Sequence, residues 1–282
     1  MRFCLALAST VVLALAGPAA ALPRYPWLAE PALAGNALDR RIPPPGGFVR
    51  LPEAPGSFAA WLRELPLKPG RPAVRLYDGR LKGNQRAHVA VVDLDLGPRD
   101  LQQCADAVIR LRAEYLYSAG KAADIAFDFT SGDRAPFSKW MAGWRPAIRG
   151  SRVSWNRRGR PDSSHAALGS YLEVVMSYAG SYSLARELRP VRPQAMRIGD
   201  VLVQGGFPGH AALVVDMAED PHTRRKVFLL AQSYMPAQEA HVLKNPEARA
   251  GGAWFEVEGF AGGLATPEWD FTADHLRTWS RN

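Results

Sequence analysis

Gly199-Asp-Val-Leu-Val-Gln-Gly-Gly-Phe-Pro-Gly-His-Ala-Ala-Leu-Val-Val-Asp216 reads as two short apolar, β-branched runs separated by a glycine- and proline-rich turn. That is the pattern of two strands joined tightly. The turn delivers one histidine, His210, to the start of the second strand. A histidine so placed is either a turn residue or a base waiting for a partner.

Working outward, the apolar run Val227-Phe-Leu-Leu-Ala231 predicts a further strand over 227–233. It is interrupted by Gln232, a polar residue that calls for a hydrogen-bond partner if buried. The alternatives for Gln232 are to orient a neighbouring imidazole or to cap a strand end. Further strands are expected over 74–77, 88–96, 125–129 and 254–257, and helices over 57–65, 166–178 and 182–188. Residues 137–144 predict a short aromatic turn or helix.

After Gly97-Pro98, Asp100 and Gln103 are spaced as in a capping box, which predicts a helix carrying Leu101, Cys104, Ala105, Val108, Leu111 and Leu116 on one face. Cys104 therefore falls near a helix amino terminus, where unpaired N–H groups and the helix dipole favour a thiolate. Its position on the apolar stripe also suits a small buried hydrophobe. The spacing alone leaves both readings open.

The sequence holds two cysteines. Cys4 lies in Met1-Arg2 followed by the apolar run 3–17 and Pro18-Ala-Ala-Ala21, the charged, hydrophobic and small-residue order of a secretory signal. We expect residues 1–21 to be removed near Ala21 and the mature protein to be exported, periplasmic or secreted. Cys104 is then the one mature thiol, and no internal disulfide is expected. No other apolar stretch is long enough to span a bilayer. Residues 22–50, rich in Pro, Ala and Gly, read as an arm or linker, and residues 51–282 as a single domain with the helices in the middle and the strands towards the end. That order indicates the α+β class.

The net charge of +8 is concentrated in 145–160, which holds Arg145, Arg149, Arg152, Arg157, Arg158 and Arg160. In an exported protein this favours an anionic envelope glycan over nucleic acid, with a solvated loop as the plain alternative. Trp140 and Trp144 beside Arg145 and Arg149 suit the stacking of a sugar ring or the filling of a core. Asp93, Asp95 and Asp128 at strand ends suit a carboxylate site or simple solvation. No Gly-x-Ser-x-Gly elbow, phosphate loop or zinc-ligand spacing is present, so no cofactor and no metal are expected.

The segment Gly199-Asp-Val201, Gly209-His-Ala-Ala-Leu-Val-Val215 and the following strand resembles the histidine half of NlpC/P60 and CHAP cell-wall peptidases, which are papain-like. The resemblance implies a Cys–His hydrolase acting on the peptide or amide bonds of peptidoglycan, with Cys104 as nucleophile, His210 as base and Gln232 as orienting residue. It also implies a papain-like α+β fold.

Over most of residues 40–280, Leu76-Tyr-Asp-Gly79, Asn84-Gln85, Leu101-Gln-Gln-Cys-Ala-Asp-Ala107, Phe129-Thr-Ser-Gly132, Gly199-Asp-Val201, Pro208-Gly-His210, Leu230-Ala-Gln-Ser-Tyr-Met-Pro-Ala-Gln238 and Thr266-Pro-Glu-Trp269 resemble the bacterial exported family called domain of unknown function 4846. That family brings no activity with it. A non-catalytic protein binding anionic envelope glycan is the alternative expectation.

Overall fold

The computed structural model describes residues 22–248 and 252–280; the expected signal segment lies outside them. In chain order the first elements are α1 (Leu38–Arg41), β1 (Val49–Arg50), α2 (Phe58–Arg63), β2 (His88–Val91) and α3 (Cys104–Ser118). They are followed by β3 (Ala126–Asp128), β4 (Arg134–Pro136), α4 (Phe137–Met141), β5 (Trp144–Arg149), β6 (Arg152–Arg157), α5 (His165–Tyr178) and α6 (Ser181–Glu187). The remainder is strand: β7 (Arg189–Pro190), β8 (Val201–Gln204), β9 (His210–Glu219), β10 (Lys226–Gln232), β11 (His241–Leu243), β12 (Phe255–Glu256), β13 (Leu264–Ala265), β14 (Asp270–Phe271) and β15 (Leu276–Thr278).

The main sheet runs β2-β11-β10-β9-β8-β15-β7, with β1 added along β9 and β12 along β10. Its pairings are antiparallel. The opening stretch forms the hairpin β8–β9, with Gln204 opposite His210. Every residue of β9 is buried, as expected of a central strand covered on both faces. Helices α2 and α3 pack against it. Around these lies a core that includes Leu62, Val108, Leu111, Leu213, Val215 and Phe228. The mixed α/β class expected from the order of elements is what the chain adopts.

Two departures are informative. Asp100 does not cap α3: its Oδ1 accepts from the Ala237 N–H at 2.6 Å and from the Gln103 side chain at 3.0 Å. The N-cap is instead Gln103, whose N–H donates to Asp106 at 3.1 Å. Cys104 thereby becomes the first helical residue, because a tertiary contact has claimed the sequence-local cap. The expected strand over 74–77 is reduced to single bridges, Arg75 to Leu81 and Leu76 to Gln238.

Residues 22–50, outside the short α1 and β1, have little regular structure but are packed. The Tyr25 hydroxyl donates to Trp61 O at 3.0 Å, and Trp27 donates to Asp93 O at 2.6 Å. Arg50, with Arg63, reaches the fully buried Asp216 at 2.6 and 2.7 Å. This region is thus tied to the middle of β9.

Candidate functional site

The amino terminus of α3 and one end of the β8–β9–β10 meander meet at Cys104. The thiol is approached by three backbone amides, those of Cys104, Ala105 and Ala211. Ala211 follows His210 directly, so the sulfur rests against the backbone at the base of the histidine. Burial is the largest influence on the thiol and pushes its pKa up to about 11, while the three amides pull the other way. Cys104 as a residue keeps part of its surface exposed.

His210 is 1% exposed. Its placement depends on the turn before it. A Cβ on Gly209 would lie 2.6 Å from Gln204 O, so only glycine permits the close approach of the two strands there. The imidazole is boxed by Tyr234, Trp269 and Phe271, with ring centroids at 4.8, 5.3 and 5.8 Å. Burial brings its pKa down to about 4, so the ring is neutral at pH 7. Its Nε2 lies 2.7 Å from Gln232 Oε1.

Gln232 ends β10 and is in turn fixed. Its Nε2 donates to Glu268 Oε2 at 2.9 Å. Glu268 is gripped by Lys82 Nζ at 2.6 and 2.8 Å, and the ammonium lies 5.2 Å from the Tyr234 ring centroid. Behind Gln232, directly opposite it in register, stands His241 on β11. His241 is fully buried, its Nδ1 is 2.9 Å from Glu239 O, and burial takes its pKa down to about 3.

The structure therefore brings Cys104, His210 and Gln232 to one end of the sheet. Sequence reasoning missed Lys82, Tyr234, Glu268 and Trp269. Tyr234, Glu268 and Trp269 belong to the segments Leu230–Gln238 and Thr266–Trp269, whose residue order stood out without suggesting a role. Lys82 left no such signal.

The expected sugar-stacking residues form a separate group. The Arg145 guanidinium lies 3.9 Å from the Trp140 ring centroid and donates to Trp140 O and Trp144 O at 2.9 and 2.8 Å. Trp140 is buried against Tyr171, and Trp144 is 39% exposed. Arg149 stands opposite Arg152 at the end of the hairpin β5–β6. None of these contacts involves Cys104, His210 or Gln232. Asp95 pairs with Arg110 at 2.8 Å and Asp128 with Arg134 at 3.0 Å, on separate elements. Among the described residues no three His, Cys, Asp or Glu side chains gather as a metal site.

Clefts of about 350, 730 and 500 Å³ open elsewhere, and none is lined by Cys104, His210 or Gln232. The smallest abuts the Gly97–Gln102 approach to Cys104. No described helix is long and apolar enough to cross a membrane.

No curated protein and no solved structure matches this chain. The family model described as domain of unknown function 4846 matches residues 38–278, which include every residue of the Cys104, His210 and Gln232 site, and the chain belongs to that family.

Proposed function

We propose that the protein is an exported, papain-like cysteine hydrolase that cleaves peptide or amide bonds of the cell envelope. The observation that carries this reading is the 2.7 Å contact of His210 Nε2 with Gln232 Oε1, made where the Ala211 amide faces the Cys104 sulfur at a helix start. With Nε2–H donating to Gln232, the neutral ring keeps its lone pair on Nδ1, and on this reading that nitrogen serves the Cys104 thiol. A nucleophile, its base and an orienting group are then in series.

Burial leaves both partners neutral at rest, so proton transfer accompanies attack. Sγ bonds to the scissile carbonyl carbon as His210 Nδ1 takes the thiol proton. The C–N bond breaks, and the departing amine receives that proton. Water then adds to the thioester with His210 as base, and expulsion of the sulfur with return of the proton releases the acid and restores the thiol. The part-exposed Cys104 is where substrate arrives, since His210 is sealed by its aromatic box.

The test is to incubate the purified mature protein with peptidoglycan and its stem peptides and to follow products by mass spectrometry. Cleavage that disappears in Cys104→Ala supports the reading; cleavage that continues unchanged rejects it.

A second reading, a non-catalytic binder of anionic envelope glycan, is favoured by one observation. Arg149, Arg152, Arg157, Arg158 and Arg160 have no carboxylate partner among the described residues, and Gly143, at φ +89°, anchors the base of their hairpin through bonds from the Arg158 and Gly159 amides at 3.1 and 2.9 Å.

A further inference from the structure

Resting on the Cys–His reading above, we infer that Glu268, held by Lys82, is a positioning residue that selects the tautomer of His210 by fixing which way the Gln232 amide faces. An amide has an acceptor end and a donor end of nearly equal size, so the 2.7 Å contact to His210 could be met in either orientation. With the oxygen towards the ring, His210 must carry its proton on Nε2 and keeps the Nδ1 lone pair for the thiol. With the nitrogen towards the ring, His210 must accept at Nε2, its proton moves to Nδ1, and it can no longer take one from Cys104.

The choice is made on the far side of the amide. Glu268 Oε2, 2.9 Å from Gln232 Nε2, belongs to a carboxylate paired with Lys82, and only the NH₂ end of the amide donates to it. Lys82 keeps that carboxylate in place with two contacts, at 2.6 and 2.8 Å, and both side chains are almost fully buried. A buried ion pair seldom adds much net stability. Here it passes a charge preference through one neutral amide to the base.

The experiment reads the ring directly. Two-bond ¹H–¹⁵N correlation spectra of histidine-labelled protein at pH 7.5 distinguish the tautomers, with His210→Gln assigning the signals. Wild type is expected to show the Nε2–H form. Glu268→Ala, and the double variant Lys82→Met with Glu268→Leu, which leaves no lone buried ammonium, are expected to show a mixture or the Nδ1–H form. Both should also alkylate Cys104 at least about tenfold more slowly than wild type, in line with the loss of a general base. Glu268→Gln retains an acceptor and is expected to restore the Nε2–H form in part. A ring that stays wholly Nε2–H in the folded double variant overturns the inference. The tautomer is read without any substrate, so a tautomer that switches while Cys104→Ala still cleaves rejects the hydrolase reading alone, and one that does not switch while Cys104→Ala is inactive rejects the positioning role alone.

Discussion

His210 and Gln232 are joined at 2.7 Å in a place where neither has appreciable solvent contact. A buried imidazole and a buried amide both need their hydrogen bonds met, and here each meets one need of the other. The contact also leaves the second imidazole nitrogen for chemistry.

Because burial lifts the Cys104 pKa to about 11, its alkylation should be slow at pH 5, still modest at pH 7, and should climb steadily through pH 9 and above. Following iodoacetamide adducts by mass spectrometry gives the profile. A rate already at its plateau by pH 6 contradicts a neutral resting thiol and requires a preformed ion pair.

The histidines should govern acid stability. The folded pKa of His210, about 4, lies below the ordinary value of 6.5, so the unfolded chain binds more protons between these values. The contribution is complete above pH 6.5 and is lost as pH falls towards 4, by on the order of 3 kcal/mol. His241 acts in the same direction. Urea unfolding at pH 7.5 and 4.5 should show this loss, and it should shrink in His210→Gln. An unchanged slope in that variant refutes the assignment to His210.

Asp106 should act in the opposite sense. Burial raises its carboxyl from 3.8 to about 8, so its contribution is complete below pH 3.8 and is lost as pH rises through 8. Asp106→Asn keeps an acceptor for the Gln103 N–H and should be more stable than wild type at pH 9 by a few kcal/mol, with the gain vanishing at pH 4. Equal gains at both pH values would show that charge is not the cause.

Removing Asp216 should unfold much of what ties the early chain to β9. Arg50 and Arg63, both largely buried, lose their shared carboxylate. Breaking one side of a buried ionic cluster costs about 3–5 kcal/mol. Chemical denaturation of Asp216→Ala measures it, and a loss below about 1 kcal/mol would mean that water replaces the carboxylate easily.

If the arginine hairpin docks on anionic glycan, Arg149→Glu combined with Arg152→Glu should weaken binding to a model polyanion such as heparin at least tenfold, and salt near 0.5 M should do the same to wild type. Binding indifferent to both removes the electrostatic basis of that reading.

Much of the strand half of the fold was legible because its signals are local. The alternation and turn of 199–216 led to β8 and β9, Val227–Ala231 to β10, and Ser57 to the start of α2, where its side chain accepts from the Ala60 N–H at 3.1 Å. The hairpin β5–β6 was not legible, because its arginines obscure the two-residue period. The start of α3 was misplaced because Asp100 bonds across the fold to Ala237 rather than along its own helix.

The sequence alone determined the α+β order, the family, and the choice of Cys104, His210 and Gln232 as residues worth placing together. Only the tertiary structure decided that they share one end of a sheet, that Cys104 begins its helix, and that Lys82 and Glu268 stand behind Gln232. The physical reason is range: strand periodicity and turn chemistry act over a few residues, whereas a thiol against the Ala211 amide and a carboxylate against Gln232 depend on β-pairing and helix packing between distant segments.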